Sequence, residues 1–160
     1  MIFNFNSIGV IRTPFKDIAG MPIQPRGAVD ILGRVELDES LTSGLQDLAG
    51  FSHLILVYGF HKSRGYELQV KPFLGNRKRG LFATRAPRRP NPVGLSIVQL
   101  VRIDGPILHI QGADVLDGTP LLDIKPYVPQ FDAFPEAKAG WLTDRTDRLT
   151  DTKSDERFRS

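Results

Sequence analysis

Turn-forming residues cut this chain into short pieces. Twelve prolines and fifteen glycines are spread through 160 residues, most of them before residue 130. Proline lacks a backbone donor and glycine gives up the most chain entropy on ordering, so both disfavour the middle of a long helix. Between these breaks lie short apolar or alternating runs, the pattern of strands. They cover Ser7–Arg12, Gly33–Leu37, Phe51–Phe60, Glu67–Lys71, Leu81–Thr84, Gly94–Arg102, Ile107–Gln111, Ala113–Leu116 and Leu121–Lys125. Phe51–Phe60 is almost wholly apolar, which predicts a strand buried on both faces. One helix is expected, over Glu39–Leu48: Ser40 or Thr42 caps it, Leu41, Leu45 and Leu48 share a face, and Gly50 ends it. Many short strands separated by turns argue for an all-β barrel or sandwich.

The second constraint lies in residues 85–96, RAPRRPNPVGLS. Ala86, Arg89 and Asn91 each precede a proline and are biased to extended backbone. The product is a stiff, cationic loop that feeds a strand, suited to holding an anionic or polar ligand in fixed geometry. Charge around it is segregated. From Leu68 to Ile103 there is no acidic residue and eight basic ones, so the net charge of +3 is +8 here and −5 elsewhere. Such a local field suits a polyanion, most simply nucleic acid. Arg77, Lys78, Arg79, Arg88 and Arg89 are the expected RNA contacts; a solvated basic face is the plain alternative.

Other classes are excluded by what the chain lacks. It contains no cysteine, hence no thiolate nucleophile and no cysteine-bound metal. No dinucleotide or P-loop glycine fingerprint is present. No apolar run reaches the roughly 18 residues of a membrane span, and the N-terminus does not resemble a secretion signal, so a cytoplasmic location is expected. His53 and His61 are eight apart in one expected strand and should face the same side, without acidic ligands nearby, so no metal is expected. His53 reads as a packed histidine; His61, where the apolar run stops, is a ligand-contact candidate at a strand mouth. In Asp114–Tyr127, DVLDGTPLLDIKPY, Asp117-Gly118 signals a hairpin turn, with Thr119 and Pro120 starting the return. Turn-making explains Asp117 better than Asp114. Both are carboxylates able to meet a positive ligand or to pair with Arg85. Trp141 reads as docking a C-terminal segment on the domain's own core or on a second subunit. Residues 143–160 are polar and charge-mixed, which predicts a disordered tail after a domain over 1–142.

IGVIRTPF, FSHLILVYGFH, LFATRAPRRPNPVGLS and DVLDGTPLLDIKPY occur in this order from about Ile8 to Tyr127. Together they resemble the TsaA-like family, whose characterised members are TrmO-type tRNA adenosine N6-methyltransferases. The resemblance implies a single closed β-barrel with one or two short helices, a homodimer, and S-adenosylmethionine bound without a Rossmann fold. It implies methyl transfer to N6 of threonylcarbamoyl-adenosine beside the tRNA anticodon. Matching cofactor-contact positions fall on Ile23, Gln24 and Pro25, on Phe60 and His61, on Arg85, on Leu95, and on Gly112, Ala113 and Asp114. Longer members carry a further C-terminal region where this chain has its polar tail.

With that cofactor, Arg85 either binds the donor's carboxylate or holds Asp114 in place. Asp114 or carbonyls near it face the sulfonium, and the Pro-rich loop and Leu95 line the adenine. The step is an in-line displacement needing alignment and little water. His61 and Asp117 are the candidates to take the N6 proton. The alternative function is a non-catalytic RNA-binding β-barrel, which requires exposed aromatics on strand faces for base stacking.

Overall fold

The alternating runs become the walls of a barrel. The computed structural model describes residues 1–17, 30–72 and 75–143. Its strands are β1 (Gly9–Arg12), β2 (Leu32–Leu37), β3 (His53–Gly59), β4 (Gln69–Val70), β5 (Arg79–Gly80), β6 (Val93–Asp104), β7 (Ile107–Gln111) and β8 (Thr119–Pro126). Six of them close in the order β1-β2-β7-β6-β3-β8, each pair antiparallel. Closure leaves no unpaired edge. Strand β6 is long enough to serve two neighbours, pairing β3 through Val93–Gln99 and β7 through its later residues. The core is the inward set: Ile11, Val35, Leu54, Leu56, Val98, Leu108, Ile110 and Leu121 are nearly sealed from solvent.

Five sequence expectations change in the structure. Phe51–Phe60 is not buried on both faces: in β3, Leu54, Leu56 and Tyr58 point inward while Ile55 and Val57 are half-buried outside. An antiparallel barrel has one core face, so a continuous apolar run here coats the outside as well. Glu39–Leu48 forms two 3₁₀ turns, Glu39–Leu45 and Leu48–Gly50. The cap is Asp38, whose carboxylate accepts from the Ser40 amide at 2.9 Å. Leu81–Thr84 is a 3₁₀ turn over Leu81–Ala83, and Ala113–Leu116 is irregular. Of Glu67–Lys71, only Gln69 and Val70 pair, with β5.

A small second core sits under the Pro-rich loop. Val70, Leu81 and Ala86 bury together. Trp141 closes over the neighbouring turn, donating from Nε1 to the Ala83 carbonyl at 2.7 Å, with the Arg79 guanidinium 5.0 Å from its ring centroid. The Trp141 segment therefore docks on its own domain. The tail reading for 143–160 lies outside the described residues from 144 onward.

Candidate functional site

The inward positions of β6 alternate Gly94, Ser96, Val98 and Leu100. Two of these break the apolar pattern, and both do so beneath one tyrosine. Tyr58 on β3 lies opposite Gly94. A Cβ at Gly94 would sit 2.2 Å from Tyr58 Cε2 and 2.8 Å from Phe60 Cζ, so only glycine leaves room for the two rings. The rings meet edge-on at 5.5 Å. Ser96, buried, shares a hydrogen bond with the Tyr58 hydroxyl at 2.9 Å and donates to Asp114 Oδ1 at 2.6 Å.

Asp114 arrives from the segment joining β7 to β8. The sequence suggests a hairpin there, but those strands stand on opposite walls of the barrel. The segment must cross the barrel end, and it buries Ala113 and Val115 as it goes. Gly112 starts the crossing at φ 91, a backbone conformation that costs glycine little, and its amide donates to the Ile31 carbonyl at 2.9 Å. The result is a half-buried carboxylate over the mouth, bonded to a buried serine and tyrosine. Burial pushes Asp114 up to about 6, against the Ser96 hydrogen bond and the nearby charge of Arg85, which pull it down. Burial raises Tyr58 as well, with the Asp114 charge adding to it. A carboxylate held this far from its ordinary range, with a cation nearby, makes Asp114 a candidate functional position.

Arg85 is exposed, but its backbone is fixed on both sides. The Thr84 hydroxyl donates to the Leu81 carbonyl at 2.8 Å and accepts from the Ala86 amide at 3.3 Å. Arg89 Nη1 donates to the carbonyls of Thr84 at 2.9 Å and Ala86 at 3.3 Å, and its guanidinium lies 5.7 Å from the Phe82 ring centroid. Arg89 thus braces the loop that presents Arg85, and Arg79 is stacked on Trp141. Arg77 and Lys78 are exposed, and Arg88 is half-buried.

Phe60 is anchored by its amide donating to the Pro92 carbonyl at 2.7 Å. His61 follows in a turn beyond the end of β3, half-buried, and burial together with Lys62 lowers its pKa. Strand parity with His53 therefore does not apply. His53 is exposed rather than packed, bonded to the Ser52 hydroxyl at 2.9 Å and edge-on to Tyr127. Asp117 serves the backbone: one oxygen accepts from the Thr13 amide at 3.1 Å and the other from Lys16 Nζ at 2.6 Å, holding its pKa down. Leu95 projects outward from β6. Gly112 and Ala113 lie in the crossing itself. Ile23, Gln24 and Pro25 lie outside the described residues.

So the structure gathers Asp114 and Phe60 around Tyr58, with Arg85 near enough to shift both titrating groups. Sequence reasoning missed Tyr58 and Ser96. The signal was there: a serine at an inward position of an otherwise apolar alternation needs a polar partner.

The model of the tRNA-methyltransferase O N-terminal domain matches residues 10–133. The chain belongs to the TrmO family. This TrmO-family chain is 48% identical over 154 residues to a probable S-adenosyl-L-methionine-binding protein of Pyrococcus abyssi, covering 96% of the chain and 84% of that protein. It is 38% identical over 149 residues to the tRNA (adenine(37)-N6)-methyltransferase of Escherichia coli, covering 87% of the chain and 63% of that enzyme. Among solved structures, a TrmO crystal structure superposes with a TM-score of 0.76 at 39% identity, covering 88% of the chain and 64% of its own. TrmO from Pseudomonas aeruginosa gives 0.75 at 37% identity, covering 88% and 63%. The chain thus spans just under two thirds of the Escherichia coli enzyme and of the solved TrmO chains.

Proposed function

We propose that this chain is an S-adenosylmethionine-dependent methyltransferase acting on N6 of threonylcarbamoyl-adenosine next to the tRNA anticodon. The observation that carries the reading is the half-buried Asp114 carboxylate at the barrel mouth, bonded to Ser96 and within the field of Arg85. That pairing complements a ligand bearing both a sulfonium and a carboxylate. Donor-binding and tRNA-methylating relatives support it.

Asp114 meets the sulfonium, and Arg85, on its braced loop, meets the donor's carboxylate. Phe60, with Gly112 and Ala113 of the crossing, walls the donor. Ile23, Gln24 and Pro25 complete the set from outside the described residues. Leu95, facing outward, contributes through its backbone. When bound, the donor supplies an electrophilic methyl group whose bond to sulfur breaks as the bond to N6 forms. The protein aligns the two and receives the N6 proton. Of the two acceptor candidates, His61 is the one we assign: its lowered pKa leaves it neutral near pH 7, whereas Asp117 is engaged by Lys16 and Thr13 and is the weaker base. Arg77, Lys78 and Arg88 face tRNA phosphates.

The chain acts as a homodimer. Support comes from the outer face of β6, where Val93, Leu95, Ile97 and Val101 expose an apolar stripe. A second copy is the economical cover for it. A tRNA substrate places the protein in the cytoplasm; no helix among the described residues is long and apolar enough to cross a membrane. The non-catalytic alternative needs aromatics on strand faces. Phe51, Tyr66, Phe82, Phe131 and Phe134, all exposed, lie off the barrel strands.

The test combines a labelled methyl donor with tRNA carrying threonylcarbamoyl-adenosine, followed by nucleoside analysis. Label on adenosine N6 is expected. Folded protein that binds the donor but never labels N6 would overturn the substrate; failure to bind the donor would overturn the enzyme class. Sedimentation at micromolar concentration should give twice the chain mass, and Leu95→Asp should shift it to one.

A further inference from the structure

An open cleft of about 540 Å³ lies between the segment after His61 and the Pro-rich loop, and none of its lining residues is in the donor set described above. Its floor and walls come from Arg64, Tyr66, Glu67, Val70 and Lys71, with Arg88 reaching in from the Pro-rich loop. The loop that forms it begins at His61. Arg64 Nη1 donates to the carbonyls of Ser63 at 3.2 Å and of His61 at 3.5 Å, so the cleft is tied to the residue that takes the proton. Gly65 turns the chain at φ 60, a left-handed conformation that favours glycine, and Tyr66 follows it at the surface. Tyr66 is 54% exposed although it is a large aromatic next to an apolar wall, Val70.

The lining has three chemistries. Tyr66 offers an aromatic platform, Lys71 and Arg88 offer positive charge, and Glu67 offers an acceptor-only carboxylate. A free phosphate would use the cations and leave the ring and the carboxylate idle. A nucleotide uses all three: base on ring, phosphate on cations, exocyclic amine on the carboxylate. Volume agrees, since sites of about 300–1,000 Å³ hold ligands of this size.

We infer that this cleft is a subsite for an unstacked RNA nucleotide flanking the target adenosine, with its base on Tyr66 and its amine on Glu67. The inference rests on the RNA-methyltransferase reading. It explains why a stacking residue and a carboxylate stand within the otherwise basic surface around the Pro-rich loop. It also gives the enzyme a grip on sequence next to the target, independent of the donor.

The test measures binding of a fluorescent anticodon stem–loop RNA to the full chain, with donor affinity measured in parallel. Tyr66→Ala should weaken RNA binding roughly 5- to 150-fold, the range for loss of one base–aromatic stack. Tyr66→Phe should stay within about twofold of the parent, because stacking needs the ring and not the hydroxyl. Donor affinity should not move in either variant, which also reports that both fold. Oligo(C) and oligo(A) should compete better than oligo(U), and Glu67→Leu should remove that preference. RNA binding by Tyr66→Ala at the parent level overturns the subsite. Equal competition by oligo(U) overturns the role of Glu67. A parent protein that binds the donor but no RNA overturns this subsite and the RNA substrate together, while leaving the donor site standing.

Discussion

Replacing Asp114 by asparagine should make the donor-free protein more stable and the donor complex weaker. The carboxyl is pushed up to about 6 from its ordinary 3.8, chiefly by burial. In the unfolded chain it loses its proton near its ordinary value. As pH rises through the window between the two, the unfolded state ionises first, so folding is progressively disfavoured. The stability present below about pH 4 is lost once pH passes about 6. A rise of about two units at 1.36 kcal/mol each makes that loss about 3 kcal/mol at neutral pH. Asparagine keeps an oxygen for the Ser96 hydroxyl and carries no charge. The melting temperature of the donor-free variant should therefore rise by as much as roughly 6–12 °C near neutral pH, and the gain should fade towards about pH 4. Donor affinity should fall by roughly 30- to 150-fold, the cost of truncating a charge-assisted partner. Calorimetric melting across pH, paired with titration of the donor, reads both quantities. A variant that melts lower near neutral pH and still binds the donor normally would refute the reasoning: Asp114 would then be a satisfied part of the scaffold.

Gly94→Ala should cost on the order of 1–3 kcal/mol, because its new methyl would have to displace the Tyr58 ring, which Ser96 holds; urea unfolding will show whether the barrel instead gives way without loss. Arg85→Ala should weaken donor binding about a hundredfold. Arg89→Ala should weaken it by a smaller factor, since it loosens the loop at Thr84 and Ala86 without touching the ligand; equal losses in calorimetry would place Arg89 on the donor. Replacing Arg77 and Lys78 together should flatten the slope of log affinity for tRNA against log salt by roughly 1.4–1.8, and an unchanged slope would leave both as solvated charges. His61→Gln should slow methyl transfer roughly 10²- to 10⁴-fold with donor binding kept, and should abolish the acid limb of the pH–rate profile, which the lowered histidine pKa sets below the ordinary 6.5.

Much of this protein could be read without coordinates, because its strongest signals are local. Proline and glycine act within a residue or two of where they stand, so the short strands β2 and β7 and the stiffness of residues 85–96 follow from them directly. Alternation at period two fixes which side of β6 faces the core, and the family motifs specify a barrel. Acid-free charge segregation needs no fold to be seen. Tertiary structure decided what depends on which strands are neighbours. Asp117-Gly118 reads locally as a hairpin turn, yet β7 and β8 end on opposite walls, and only that closure turns the segment into a crossing that carries Asp114 over the mouth. Arg89 reads as a phosphate ligand on a basic loop, yet the loop's own fold brings two carbonyls within its reach. Tyr58, Ser96 and Asp114 are far apart in the chain, and each alone is an ordinary residue. Their hydrogen bonds, and the burial that lifts the Asp114 pKa, exist only where the walls and the crossing meet. Local propensity is written in neighbouring residues, whereas desolvation is set by everything that packs around a group.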